Sequence, residues 1–310
     1  MRRTQWLVCL VMLHGLSSAF AGDAPAPLPV TQVADGVFVH TGAQAEANRD
    51  NKGDIANIGF IVGTDCVTVV DTGGSPRIGA ALRRAIAART ATPVCYVINT
   101  HMHPDHVLGN RAFVNEGTRF VAAAGFDQAL AARGASYLDR LPDTIGMDAD
   151  NSWLVMPDQQ VDQKTTLDLG EREIVLEHGP TAHTDNDLTV FDRRTRTLWT
   201  GDLLFVDRIP SIDGSITGWL ETMDDFAANR IVATVIPGHG PVSNDLAAAT
   251  APQQRYLETV RDDVREAIAE GYSLQHTATH ATQTERDRWL LFDDYHPRNI
   301  TAAYTELEWE

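Results

Sequence analysis

The densest chemistry in this chain lies between Asn99 and Asn110, in the segment NTHMHPDHVLGN. His101 and His103 stand two residues apart and are followed by Asp105 and His106, directly after the apolar run VCYVI. Imidazoles alternating with a carboxylate on a strand-to-helix loop can address two metal positions about 3.5 to 4 Å apart, the separation used by two-metal hydrolases. A single histidine is more often an ordinary core or surface residue. Four candidate ligands within six residues, at the end of a buried strand, form a metal-site pattern. Three more candidates follow: His183 in GPTAHTDND, Asp202 in LWTGDLL and His239 in IPGHGP. Each stands at a strand end or in a tight glycine-containing loop, where side chains are displayed and backbone can approach an ion. His178, five residues before His183, ends a strand and is the rival for that position. His276, His280 and His296 belong to no such pattern and are expected on the surface or in the tail.

These groups need a scaffold that brings distant segments to one place. From Gly36 the runs VFVH, NIGFIVG and CVTVVDTGG are rich in β-branched residues and punctuated by Gly or Asp, a hairpin meander leading into a buried strand. Pro76 to Arg89 reads as a helix with Ile78, Ala81, Leu82 and Ile86 on one face. PVCYVINTH then returns as a second buried strand, so the loop-side ends of a βαβ unit carry Asp71 and His101. Gly109 to Asn151 reads mostly as helix and loop covering one edge of the site, its alanine content suiting helix. Strand patterns recur at QKTTLDLG, EREIVLEHG, NDLTVFDR and RTLWTGDLL, which predicts two halves, each a sheet with helices outside. IVATVIPGHGP closes the series. LAAATAPQQRYLETVRDDVREAIAEG is a long amphipathic helix ended by Gly271, and a shorter helix and a tail are expected beyond it.

The first 21 residues, with Arg2 and Arg3 ahead of the apolar run Trp6 to Leu13 and the small-x-small triplet Ala19, Phe20, Ala21, read as a cleaved signal peptide. The apolar run is far shorter than the roughly 20 residues that span a bilayer, so export to the periplasm or outside is expected rather than stable membrane insertion. Residues 22–34 hold three prolines and read as an extended leader, with one domain over 35–247 and helices and tail over 248–310 packed on it. The chain has 310 residues and a formal charge of −17, and loss of the signal peptide, with Arg2 and Arg3, would make it more negative. Such a surface repels phosphate backbones and argues against a nucleic-acid partner. Of three cysteines, Cys9 lies in the signal peptide. Cys66 and Cys95 each begin a strand-like run and could pair in an oxidising compartment. Two buried free thiols is the favoured reading, because adjacent strand positions seldom suit a disulfide.

The order H-x-H-x-D-H, then His183, Asp202 and His239, resembles the metallo-β-lactamase superfamily over Gly36 to Pro241. The resemblance implies an α/β (α+β) fold, a four-layer αββα sandwich with a C-terminal helical extension and metals in a cleft at the edge of its two sheets. By that match His101, His103 and His183 hold a first zinc, Asp105, His106 and His239 a second, and Asp202 bridges them. Two zincs per chain are therefore expected. His103 stands where iron-bearing flavodiiron relatives have a carboxylate, which favours zinc. Asp71, in VVDTGG, matches the carboxylate that orients a ligand imidazole from behind, fixing its tautomer and ring direction.

A zinc pair of this kind is expected to bring a bridging water toward a pKa of about 7, supplying hydroxide for attack on an ester, thioester, lactone or amide. Asp105 is the candidate catalytic residue, orienting the nucleophile and moving a proton. β-Lactamases usually have cysteine or a non-ligating residue where Asp202 stands, and the aspartate is similar to that of glyoxalase II and lactonases. ANIGFIVG, HMHPDHVLGN and YHPRNITAAYTELEWE together resemble a narrower group, the exported zinc metallohydrolases of quinoprotein dehydrogenase relay systems and their sulfur-oxidation counterparts. That resemblance implies a small-molecule substrate and a periplasmic quinoprotein dehydrogenase system as partner. The competing expectations are a β-lactamase or lactonase, a metal-binding accessory protein of a periplasmic dehydrogenase, and a sulfur-oxidising enzyme with one iron.

Overall fold

The computed structural model describes residues 25–115 and 117–310. The signal-peptide reading of residues 1–21 lies outside them. The first sheet runs in chain order, β1 (Thr31–Ala34), β2 (Val37–His40), β3 (Ile58–Val62), β4 (Val67–Val70), β5 (Val94–Ile98), β6 (Arg119–Ala123) and β7 (Gln159–Val161). Its first four strands are an antiparallel meander, and β4 to β7 are parallel. The parallel part requires crossovers, which are α1 (Pro76–Ala87), the short α2 (Pro104–Val107) and α3 (Phe126–Thr144). The second sheet holds β8 (Lys164–Asp168), β9 (Glu173–His178), β10 (Leu188–Asp192), β11 (Thr197–Phe205) and β12 (Thr234–His239). Only β11 and β12 are parallel there, joined through α4 (Ile216–Ala228). The chain ends in α5 (Leu246–Ala269), α6 (Leu274–His280) and α7 (Phe292–Leu307).

Side-chain alternation explains the layering. In β2, Val37 and Val39 point into the space between the sheets, where Ile98, Val121, Leu176, Val190 and Trp199 also lie. Phe38 points the other way and packs with Ile78, Leu82 and Ile86 of α1. A period of two thus gives the strand two apolar faces. On the far side of the second sheet, Trp219 and Met223 of α4 meet Tyr256, Leu257 and Val260 of α5 and Ile300 of α7. Each fully buried side chain of this size contributes about 1.5 to 3 kcal/mol by leaving water. The result is the αββα sandwich, with residues 248–310 packed on its outer helical layer.

Three expectations are corrected. The sheet begins at Thr31, inside the stretch read as leader. Gly109 to Asn151 is mostly helix and loop, as expected, with the five-residue β6 among its described residues. The supposed tail is the 16-residue helix α7. Pro297 in its second turn breaks the helical signal in the sequence, and burial of Phe292, Ile300, Ala303 and Leu307 overrides that local penalty. Finally, Cys66 and Cys95 are not free thiols but a disulfide, with Cα atoms 5.6 Å apart. The register between β4 and β5 pairs Val67 with Val94 and then Thr68 with Tyr96. Cys95 is the extra residue of this bulge, and the local bend turns it toward Cys66.

Candidate metal centre

The centre lies where strand ends from both sheets meet. His101 follows β5. His103 caps α2, and Pro104 at the first helical position places Asp105 and His106 on the first turn. His183 comes from the β9–β10 loop, Asp202 from within β11 and His239 from the end of β12. Two sets of converging donor atoms result, His101, His103, His183 and Asp202 in one and Asp105, His106 and His239 in the other. The carboxylate of Asp202 sits between them. Its Oδ2 lies 3.3 Å from His239 Nε2, 3.5 Å from His183 Nε2 and 3.7 Å from His101 Nε2, and its Oδ1 lies 3.1 Å from His106 Nε2. Asp105 Oδ2 is 3.3 Å from His239 Nε2 and 3.6 Å from His106 Nε2. The structure therefore brings together all seven residues singled out in the sequence.

Each ring is aimed by a partner outside the cluster. His106 Nδ1 donates to Asp71 Oδ2 at 2.8 Å. Thr100 Oγ1 donates to the same oxygen at 2.7 Å and accepts from His101 Nδ1 at 3.1 Å, so Asp71 orients two imidazoles, one directly and one by relay. Asp71 holds a left-handed backbone, φ 54°, a strained conformation for a residue with a side chain and one that clusters at functional sites. His183 Nδ1 donates to Ser211 O at 2.6 Å, and His239 Nδ1 to Ile55 O at 2.8 Å. His103 is reversed, with Nε2 donating to Asp213 Oδ2 at 3.0 Å and Nδ1 turned inward. His178 donates from Nδ1 to Asp187 O and stands apart, which removes it as a rival to His183.

These outer bonds decide what faces the middle. Each ring spends its N–H outward, leaving a lone pair inward, and His103 Nδ1 lies only 2.9 Å from His183 Nε2. Two lone pairs at that distance repel unless a cation lies between or beside them. His101 Nε2, His106 Nε2 and Asp202 Oδ1 are buried without hydrogen-bond partners among the described residues. Buried polar atoms left unsatisfied cost free energy, and a shared cation satisfies all of them. The donor set therefore fits a pair of metal ions. Burial opposes ionisation of Asp105, but imidazolium charge on His106 and His239, a charge that a bound cation would supply in their place, outweighs it and holds the carboxyl below its usual range. Burial likewise opposes the charge on Asp202, and the same positive charge, on His239 and His106, overcomes it. Burial and His103 lower His183 to about 3, which keeps its ring a neutral donor of electrons.

Several functional neighbours carry no signal in the sequence. The loop between β11 and α4 supplies the outer partners of His183 and His103, and also Arg208, whose Nη1 lies 3.4 Å from His239 Nδ1. The C-terminal helix α7 fixes that loop. Asn299 accepts from Ile212 N at 2.9 Å and donates to Pro210 O at 2.7 Å. Tyr295 donates to Glu46 Oε1 at 2.6 Å and accepts from Arg208 Nη2 at 2.9 Å. Helix docking, expected as the role of this segment, is accompanied by a share in the wall of the site. His296 is buried between Phe292 and Tyr256 rather than exposed, whereas His276 and His280 are exposed as expected.

Residues 51–239 match the family model described as the metallo-beta-lactamase superfamily, and the chain belongs to that superfamily. With its histidine-rich pair of metal clusters it is a metallo-hydrolase of this class. No curated protein sequence matches it. Among solved structures it is similar to a metallo-beta-lactamase from Pontibacter korlensis, at 18% identity and TM-score 0.59, over 74% of this chain and 99% of that one. The DIM-1 metallo-beta-lactamase, solved after exposure to ceftazidime, is likewise 18% identical with TM-score 0.58, over 76% of this chain and 99% of the other. The sec-alkylsulfatase Pisa1 from Pseudomonas sp. is 15% identical with TM-score 0.70, over 90% of this chain and 50% of the sulfatase. That span includes part of the C-terminal helices. Identities this low speak to the fold alone.

Proposed function

We propose that this protein is an exported dinuclear zinc hydrolase acting on a small ester, thioester or related carbonyl compound. The observation that carries the reading is the inward set of lone pairs from five imidazoles, with Asp202 between the two groups and every outer N–H engaged. Nitrogen and carboxylate donors without thiolate suit zinc at a site that must also admit substrate. Two such ions, when bound, acidify water and polarise a substrate oxygen. His101, His103 and His183 would hold one and Asp105, His106 and His239 the other, with Asp202 shared. Asp105, ionised and facing the cavity, is placed to accept a proton at its carboxylate and return it to the leaving group. Phe205 stacks on His239 at 5.0 Å and keeps water from that side of the ring.

The Cys66–Cys95 disulfide supports an oxidising location, periplasmic or secreted. The resemblance of the ANIGFIVG, HMHPDHVLGN and C-terminal segments supports a link to quinoprotein dehydrogenase or sulfur metabolism. A lactonase or β-lactamase is the second reading, favoured by the lactamase-like fold, with Asp202 pointing to the lactonase side. A mononuclear iron enzyme would leave Asp105, His106 and His239 without a role. Elemental mass spectrometry of the purified protein, followed by a screen of thioesters, lactones and β-lactams, tests the proposal. Close to two zincs per chain with turnover of a carbonyl substrate is the expected result. One iron per chain, or two zincs without turnover of any of them, would sink it.

A further inference from the structure

The cluster opens into a cavity of about 510 Å³, and two helices that carry none of its donor residues form part of the wall. α3 presents Arg133, Tyr137 and Arg140, spaced four and three residues apart on one helical face. α7 presents Tyr295 and Arg298, three residues apart. Arg133 is paired with Asp213, and Arg208 on the inner wall with Glu46. Arg140 and Arg298 have no carboxylate partner among the described residues. Arg140 Nε donates to Ser136 O of its own helix, and the two guanidinium groups lie 5.8 Å and 6.0 Å from the ring centres of Tyr137 and Tyr295. Arg208 Nε is buried without a partner.

Apart from the metal-facing residues, four arginines thus line the cavity against two acids, Glu46 and Asp213, in a chain whose formal charge is −17. The net negative charge of the chain opposes anion binding, whereas a cleft of reversed sign between low-dielectric walls gathers anions. A guanidinium on a tyrosine face is held in place while its fork stays open to a planar oxyanion. We propose that Arg140 and Arg298 form an anion subsite, and that the substrate carries a carboxylate or comparable oxyanion away from the bond that is cut. This rests on the hydrolase reading above and adds the charge of the substrate to it.

The test compares 4-acetoxybenzoate with 4-acetoxybenzamide, alike in shape and different in charge, on the zinc-loaded protein. The benzoate should be preferred by on the order of tenfold in kcat/KM, chiefly through KM, as expected for one charge-assisted contact. Arg140→Gln with Arg298→Gln should bring that ratio to about one at equal metal content, while Arg84→Gln, on the exposed face of α1, should leave it. Equal use of the two esters, or a preference that survives the double substitution, overturns the subsite. If neither ester is cleaved, calorimetric binding of 4-hydroxybenzoate against 4-hydroxybenzamide decides. Tighter benzoate binding that the double substitution abolishes supports the subsite, even though the hydrolase reading has then failed on these esters. Equal binding, or a difference the double substitution leaves intact, overturns it.

Discussion

Gly238 is the surface against which the Asp202 carboxylate rests, and a Cβ at position 238 would overlap Asp202 Oδ1. β11 and β12 run parallel here with an irregular register, and only a residue without a side chain lets the carboxylate lie between them. Gly238→Ala should therefore displace Asp202 without replacing any donor residue. Hydrolytic activity is expected to fall by on the order of 100-fold, the usual result of moving a catalytic group by about an ångström. Zinc stoichiometry and activity measured together check this, and an alanine variant with full activity would contradict it.

Asp71 should matter more than Asp213. Asp71 is buried and orients both His106 and, through Thr100, His101, whereas Asp213 is exposed and orients only His103. Loss of such an outer partner typically costs about 10- to 100-fold in metal affinity. Asp71→Asn is expected near the upper end and Asp213→Asn near the lower. Competition against a zinc chelator ranks them, and the reverse order would refute the relay through Thr100.

His40 couples stability to pH. Its Nδ1 donates to Pro29 O and its Nε2 to Asp54 Oδ1, each at 2.8 Å, so both nitrogens carry protons. Burial opposes the charged ring, but Asp54 prevails and raises the folded pKa above the ordinary 6.5. The stabilisation is thus complete below a pH of about 6.5 and is lost as pH rises through the folded pKa. The Tm difference between the wild-type protein and His40→Asn should be level at acid pH and shrink as pH rises above about 6.5. A gap independent of pH would show that the ring is neutral in the folded state.

The Cys66–Cys95 bridge closes a loop of 29 residues in sequence. Chain-entropy reasoning gives a loss of about 3 to 4 kcal/mol when it is removed. Replacement of both cysteines by serine should lower the unfolding free energy in guanidinium by roughly this amount. Indifference of the wild-type protein to reductant would count against the bridge.

Arg172 joins the two sheets. It donates from Nε and Nη2 to the buried Asp192, and also to Val62 O and Asp35 O. Arg172→Ala leaves that carboxylate unpaired in the interior and should cost about 3 to 5 kcal/mol. Equilibrium denaturation measures it, and a cost below about 1 kcal/mol would place the pair in the class of weak surface bridges.

All seven metal-facing residues were legible in the sequence because their pattern is local. His101, His103, Asp105 and His106 share one loop, and the other three stand in short motifs at strand ends. Strand alternation and the periodicity of α1 likewise depend on neighbours a few residues away, so two sheets with helices outside could be anticipated, while the αββα order was what the family resemblance implied. The tertiary structure decided what aims the donors. Ile55 O meets His239 across 184 residues and Asp213 meets His103 across 110, contacts that no spacing rule encodes. It also decided that α7, whose proline obscures its helical pattern, closes one side of the cavity, and that a strand bulge brings two cysteines into bonding range. A ligand's identity is a property of its side chain, whereas its direction depends on backbone atoms that only the folded chain brings near.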